Sequence, residues 1–132
     1  MLGIIPARFA STRFPGKPLV DIAGKSMIQR VYEQCKKSQS LTDVLVATDD
    51  DRIYNHVTAF GGRVAMTSTH HQSGTDRCAE IAQLYPNYEA YINIQGDEPF
   101  IDPEQIDLLC SCFDHPDHQL ATLVKKITTV AE

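Results

Sequence analysis

Five short apolar stretches rich in β-formers, at positions 2–5, 44–48, 63–66, 91–95 and 120–127, alternate with segments whose apolar residues recur at helical spacing. The helical stripes are Met27, Ile28, Val31 and Cys35; Ile53, Val57 and Phe60; and Cys78, Ile81 and Ala82. A fourth, over 103–113, presents Ile106, Leu109, Cys110 and Phe113. Strand, helix and strand in repeated alternation is how parallel pairing through crossovers is written in sequence. The pattern therefore predicts an α/β fold, a three-layer α/β/α sandwich with a mainly parallel sheet. Helix ends are signposted too: Asp50 or Asp51 is placed to cap the second helix and Gly61 with Gly62 to end it. Thr75 or Asp76 starts the third, and Pro86 closes it. No repeat, low-complexity run or linker divides the chain, so one domain is expected over 1–132.

Composition changes this picture little. In 132 residues, 42% hydrophobic and 22% charged, there is enough apolar material for a core. The formal charge of -5 argues against a general nucleic-acid binder, which needs Lys and Arg spread over a broad face, so any phosphate chemistry must use a local basic site. The apolar run at 2–5 is too short for a signal-peptide core or a membrane span, which leads to the expectation of a cytoplasmic protein with no membrane partner. Cys35, Cys78, Cys110 and Cys112 lack the paired spacing of a zinc ribbon and are expected to stay reduced. Cys110, Cys112, His115 and His118 fall close together, but Cys110 belongs to a helix's apolar face and is better explained as a core residue, with the two histidines in a polar loop.

Charge becomes informative locally. The first twenty residues contain no acid, yet carry Arg8, Arg13 and Lys17 in the loop that leaves the first strand. The carboxyl end of a strand is where open α/β sheets bind ligands. Ala10, Ser11, Thr12 and Gly16 are small enough for backbone N–H groups to approach phosphate oxygens, while the three cations supply charge-assisted bonds. The loop is not a Walker A motif, because position 19, where that motif needs Gly before Gly24-Lys25-Ser26, is Leu. On spacing alone, a solvated basic loop and a phosphate site remain open alternatives.

The string Ile5-Pro-Ala-Arg-Phe-Ala-Ser-Thr-Arg-Phe-Pro-Gly-Lys-Pro-Leu19 resembles the opening motif of the 3-deoxy-manno-octulosonate (KDO) cytidylyltransferases, whose fold is the nucleotide-diphospho-sugar transferase sheet. Sialic-acid cytidylyltransferases share the Ile-Pro-Ala-Arg opening but continue with a Gly-Ser-Lys-rich stretch. In the resembled family this loop wraps the CTP triphosphate. The resemblance thus implies nucleotide binding by Arg8, Ser11, Thr12, Arg13 and Lys17, with Lys17 also catalytic.

Two further segments follow in the family's order. His71-Gln-Ser-Gly-Thr-Asp-Arg77 is similar to its His-Gln-Ser-Gly-Thr-Glu-Arg element, with Asp76 in place of the usual Glu. Read alone it is explained as a helix cap; beside the first motif, Ser73, Gly74, Thr75 and Arg77 are expected to contact nucleotide. Ile92-Asn-Ile-Gln-Gly-Asp-Glu-Pro-Phe100 resembles the Gln-Gly-Asp-Glu-Pro signature. An apolar strand there delivers Asp97 to the sheet's carboxyl edge, and Gly96 leaves room for phosphate and metal beside the backbone. Mg2+ is held by one or two carboxylates plus substrate phosphates, so a single Asp suffices for such a site. Read alone, the Asp-Glu-Pro turn is an ordinary loop, and it is the resemblance that implies Asp97 as metal ligand and catalytic residue. Glu98 need not be a ligand, because neighbouring side chains leave an extended backbone on opposite sides. Gln95 is expected to face the substrate. The segment Leu45-Val-Ala-Thr-Asp-Asp50 resembles the family's second strand, and Asp49 reads as structural or ligand-adjacent.

The resemblance implies transfer of CMP from CTP to KDO with release of pyrophosphate, for lipopolysaccharide biosynthesis, by a protein that is a homodimer at full length. Members of that family are roughly twice this length, so residues 1–132 are expected to be the nucleotide-binding half, short at the carboxyl end. The second metal aspartate and much of the sugar pocket would lie beyond. The alternatives are a cytidylyltransferase for another sugar acid, sialic acid or an amino analogue of KDO, and a non-catalytic nucleotide-binding fragment.

Overall fold

Leu2 and Ile4 pack on one face of a sheet while Ile5 and Ala7 pack on the other, so one six-residue strand contributes to two separate cores. The computed structural model describes residues 1–9, 16–69, 74–96, 98–111 and 120–122. In chain order its elements are β1 (Leu2–Ala7), a 3₁₀ turn (Lys17–Leu19), β2 (Asp21–Ile22), β3 (Lys25–Ser26), α1 (Met27–Lys36), β4 (Asp43–Thr48), α2 (Asp51–Ala59), β5 (Val64–Met66), α3 (Gly74–Leu84), β6 (Tyr91–Asn93), α4 (Pro103–Ser111) and β7 (Leu120–Thr122). The main sheet has five strands in the order β5-β4-β1-β6-β7, every pair parallel. Helices α1, α2 and α4 cover one face through Ile28, Val31, Cys35, Ile53, Val57, Ile106 and Cys110. On the other face α3 packs Cys78 and Ile81 against Leu2, Ile4, Leu45 and Ala47. This is the three-layer α/β/α arrangement expected from the alternating pattern.

Local chemistry explains the boundaries. Ser26 caps α1, its hydroxyl accepting from the Gln29 N–H at 3.2 Å. Asp50 caps α2, its carboxylate accepting from the N–H groups of Arg52 and Ile53. Helix α3 begins at Gly74, one residue before the expected start, and ends at Leu84, since the residue before Pro86 is steered away from helical geometry. The small antiparallel pair β2–β3 was not foreseen. Its two turn residues, Ala23 and Gly24, both have positive φ, as a tight hairpin demands. Strand β5 starts at Val64 rather than at position 63, and β6 ends at Asn93, although the Ile94 N–H still donates to the Ile4 carbonyl at 2.8 Å. Positions 123–127 of the last expected strand, and Cys112, Phe113, His115 and His118, lie outside the described residues. Cys110 is buried in the core as expected, and burial pushes the Cys35 and Cys78 thiols up to about 12, which keeps them protonated and unreactive.

Several carboxylates are held below their ordinary range. Asp43 is lowered by the Tyr88 hydroxyl, then by Arg63, and Asp50 by Arg52. Glu33 is lowered by Lys25 and Gln29; burial opposes the shift at Asp107, but hydrogen bonds from Ser38 and Ser40 outweigh it. Each of these folded-state values lies under the unfolded one. Their stabilisation is therefore complete above the unfolded carboxylate pKa, about 4, and is lost as pH falls through the folded values. Thermal melting should be flat between neutral pH and about pH 5 and fall steeply below about pH 4. A melting temperature that held steady down to pH 3 would contradict this.

Candidate functional site

From β1 the chain moves outward to β4 and β5, then returns to β6 on the other side of β1. The direction of travel reverses between β1 and β6, and open α/β sheets bind ligands in the crevice outside the strands' carboxyl ends at such a point. The basic loop follows β1 and the Gln-Gly-Asp-Glu-Pro segment follows β6, so the topology brings the two strongest sequence motifs to one crevice. Contact there is close. A Cβ built on Gly96 would lie 3.1 Å from the Pro6 carbonyl oxygen and 3.6 Å from Ile5 Cγ2, so glycine lets the segment after β6 lie close against the end of β1.

The loop after β1 is closed at its stem. The Gly16 N–H donates to the Phe9 carbonyl at 2.8 Å, so the chain leaves and returns at one point. Gly16 has φ +76°, a left-handed conformation, and a Cβ there would meet the Phe9 ring at 3.0 Å. From Gly16 the chain enters the 3₁₀ turn, where the Leu19 N–H donates to the Gly16 carbonyl and Pro18 is buried. Arg8, exposed, and Lys17, half-buried, flank this stem. Ser11, Thr12 and Arg13 lie outside the described residues, as do Ser73 and Asp97. In the described residues on either side of Asp97, Gly96 lies against β1 and the Glu98 carbonyl accepts from the Ile101 N–H at 3.2 Å. Gln95 is half-buried just after β6.

Gly74 and Thr75 open α3, with Thr75 exposed in the first turn. Arg77 is placed differently from its neighbours: its side chain is only 1% exposed. Nη2 donates to Asp49 Oδ2 at 3.2 Å, and Nη1 donates to the Thr67 hydroxyl and to the Ser68 carbonyl. The guanidinium thus ties α3 to the end of β4 and to the loop after β5, beneath Gly74 and Thr75. Asp49 serves as its counter-ion. Arg77 Nε, like Asn93 Oδ1, has no hydrogen-bond partner among the described residues. Removing the counter-ion leaves a desolvated cation, so Asp49→Ala should cost about 3 kcal/mol of unfolding free energy, the lower end for a buried pair because Asp49 is partly exposed. Chemical denaturation measures this, and a loss under about 1 kcal/mol would mean that water reaches the guanidinium.

The residues suit a divalent cation in chemistry. Asp97, the carboxylate expected to hold it, lies outside the described residues, and its neighbour Gly96 keeps the backbone there free of side-chain bulk. No cluster of three or more metal-binding side chains occurs among the described residues. An ion held by one or two carboxylates and completed by phosphates, as Mg2+ is, matches that sparse donor set. A contact between Phe9 and Arg52 was not foreseen. They are distant in sequence and no motif links them, but the guanidinium carbon of Arg52 lies 3.3 Å from the centroid of the Phe9 ring.

A parallel sheet with helices on both faces and a switch point between β1 and β6 places the chain in the class of open α/β domains that bind ligands at the strands' carboxyl ends. Comparison narrows the class. The family model for cytidylyltransferases matches residues 2–132, and the chain belongs to that family. It is similar to the 3-deoxy-manno-octulosonate cytidylyltransferases of Parabacteroides distasonis, 62% identical over 94% of this chain and 49% of the relative. Against the Cytophaga hutchinsonii protein of the same name it is 58% identical over 96% of this chain and 51% of the relative. Among solved structures it resembles CMP:2-keto-3-deoxy-manno-octonic acid synthetase complexed with CTP, with TM-score 0.83 and 48% identity over 88% of this chain and 48% of that one. That likeness identifies the sheet as the nucleotide-diphospho-sugar transferase fold. The chain spans about half the length of the curated relatives it matches. Among the described residues, no helix is long and apolar enough to cross a membrane.

Proposed function

We propose that the protein transfers CMP from CTP to KDO, releasing pyrophosphate, and that residues 1–132 supply the nucleotide-binding half of the catalytic domain. The observation that carries this reading is the β1/β6 switch point, where Gly96, next to the motif residue Asp97, abuts the Pro6 carbonyl at the end of the strand that leads into the basic loop. The names of the similar proteins and the bound CTP of the similar structure support the choice of substrates. In the reaction, the anomeric hydroxyl oxygen of KDO bonds to the α-phosphorus of CTP. The bond from that phosphorus to the bridging oxygen breaks, pyrophosphate departs and the hydroxyl proton leaves to solvent. Arg8, Ser11, Thr12, Arg13 and Lys17 orient the triphosphate, and the cations among them stabilise the leaving pyrophosphate. Ser73, Gly74 and Thr75 present hydroxyl and amide groups at the start of α3, with Arg77 holding that start in place from beneath, and Gln95 faces the sugar. Magnesium, held by Asp97 and phosphate oxygens, supplies charge neutralisation when bound.

The reading carries with it a cytoplasmic homodimer acting on soluble substrates, with no part for nucleic acid or membrane. The second reading is a chain that binds nucleotide without turnover. Assays with CTP, magnesium and a panel of sugar acids, run on the 132-residue chain and on the protein at its natural length, separate the readings. CMP-KDO made at natural length, with weak CTP binding and no turnover by the 132-residue chain, is the expected result. Turnover with sialic acid or an amino analogue, and none with KDO, would overturn the substrate assignment.

A further inference from the structure

Arg52 is an exposed arginine that the fold nevertheless holds still. Its Nε donates to Asp50 Oδ1 at 3.1 Å and its Nη2 donates to Asp50 Oδ2 at 2.8 Å, a two-point fork that sets the plane of the guanidinium. The same carboxylate caps α2 through the N–H groups of Arg52 and Ile53, so the fork is fastened to the first turn of that helix. The guanidinium carbon then sits 3.3 Å from the Phe9 ring centroid, within cation–π range. Phe9 is the residue whose carbonyl closes the basic loop on Gly16, and its ring is what a Cβ at Gly16 would strike. Through this stack helix α2 reaches the stem between Arg8 and Lys17.

Resting on the proposed nucleotidyl transfer, we infer that Asp50, Arg52 and Phe9 form a positioning clamp that sets the stem of the phosphate loop before nucleotide binds. Arg8 precedes the clamped ring by one residue and Lys17 follows the clamped glycine by one, so both cations leave the stem at positions that the stack determines. In this role the three clamp residues act through the stem and not on the substrate itself. Preorganising a binding loop lowers the entropy lost when the ligand is ordered, so the clamp acts on CTP affinity rather than on the bond-making step. The guanidinium's planarity is required: a lysine at 52 keeps the charge but has neither the fork nor the flat face that stacks.

The test uses Arg52→Ala and Arg52→Lys in the protein at its natural length, with two readouts. One is the KM for CTP and for the sugar acid, with kcat. The other is hydrogen exchange of the peptide spanning residues 9–19 in the nucleotide-free protein. For both variants the KM for CTP should rise roughly three- to fivefold, with kcat and the sugar KM unchanged. Exchange at Gly16 should quicken, while the melting temperature stays within about 2 °C of the parent. Rescue by lysine would reduce Arg52 to a long-range charge and overturn the clamp. A raised KM with unchanged exchange would also overturn it, because Arg52 would then act on the nucleotide directly. If the parent neither binds nor turns over CTP, the nucleotidyl-transfer reading fails, and the exchange measurement alone decides whether the clamp holds the stem.

Discussion

Asp97→Asn should abolish magnesium-dependent CMP transfer while leaving the fold intact. Asparagine has nearly the volume of aspartate, and the neighbouring backbone is held by contacts that do not involve the side chain: Gly96 lies against Pro6 and the Glu98 carbonyl accepts from Ile101. What changes is the charge offered to the cation. Losing a metal's neutralisation of the triphosphate removes several kcal/mol of transition-state stabilisation, so a fall of roughly 10³-fold or more in kcat is expected. Far-ultraviolet circular dichroism and the melting curve should match the parent. A variant that kept more than a tenth of the activity, with the parent's magnesium dependence, would show that the ion is held elsewhere.

Lys17→Ala should lower kcat/KM for CTP by about 10²-fold, or about 2.7 kcal/mol, the effect of deleting one donor aimed at developing charge. The turn that carries Lys17 has backbone determinants of its own. Gly16 sets the left-handed turn, Pro18 is buried, and the 3₁₀ hydrogen bonds run between backbone groups. Steady-state kinetics over a range of CTP concentrations would measure the loss. A value within a factor of two of the parent would refute the assignment of Lys17 to the phosphate site. Arg52→Lys is expected to have a much smaller effect, because it loosens the stem and leaves the donors in place.

Much of the architecture was legible because it depends on short-range periodicity. The stripe Met27, Ile28, Val31 and Cys35 could be read as α1 without knowing its partner, since any sheet face satisfies it. Caps were legible for the same reason: Asp50 satisfies N–H groups two and three residues away. The hairpin β2–β3 escaped notice because its strands are two residues long, too short for alternation to register. Arg77 illustrates another limit. Next to Thr75 in the sequence it reads as a ligand contact, yet a helix turns neighbouring residues to different sides, and this one faces inward to Asp49.

The sequence by itself determined the order along the chain of the main-sheet strands and their helices, the caps of α2, and the three motifs whose residue types suit phosphate and a hard cation. These are properties of neighbours along the chain, and local sterics and hydrogen bonding settle them. Only the tertiary structure decided which motifs share a crevice. The reversal between β1 and β6 places Gly96 against Pro6, a contact set by sheet order and therefore by the competition of all strands for partners. The Phe9–Arg52 stack and the Arg77–Asp49 pair were decided in the same way. Each joins groups from different elements, and the geometry that makes them interact exists only once helices have packed on both faces of the sheet.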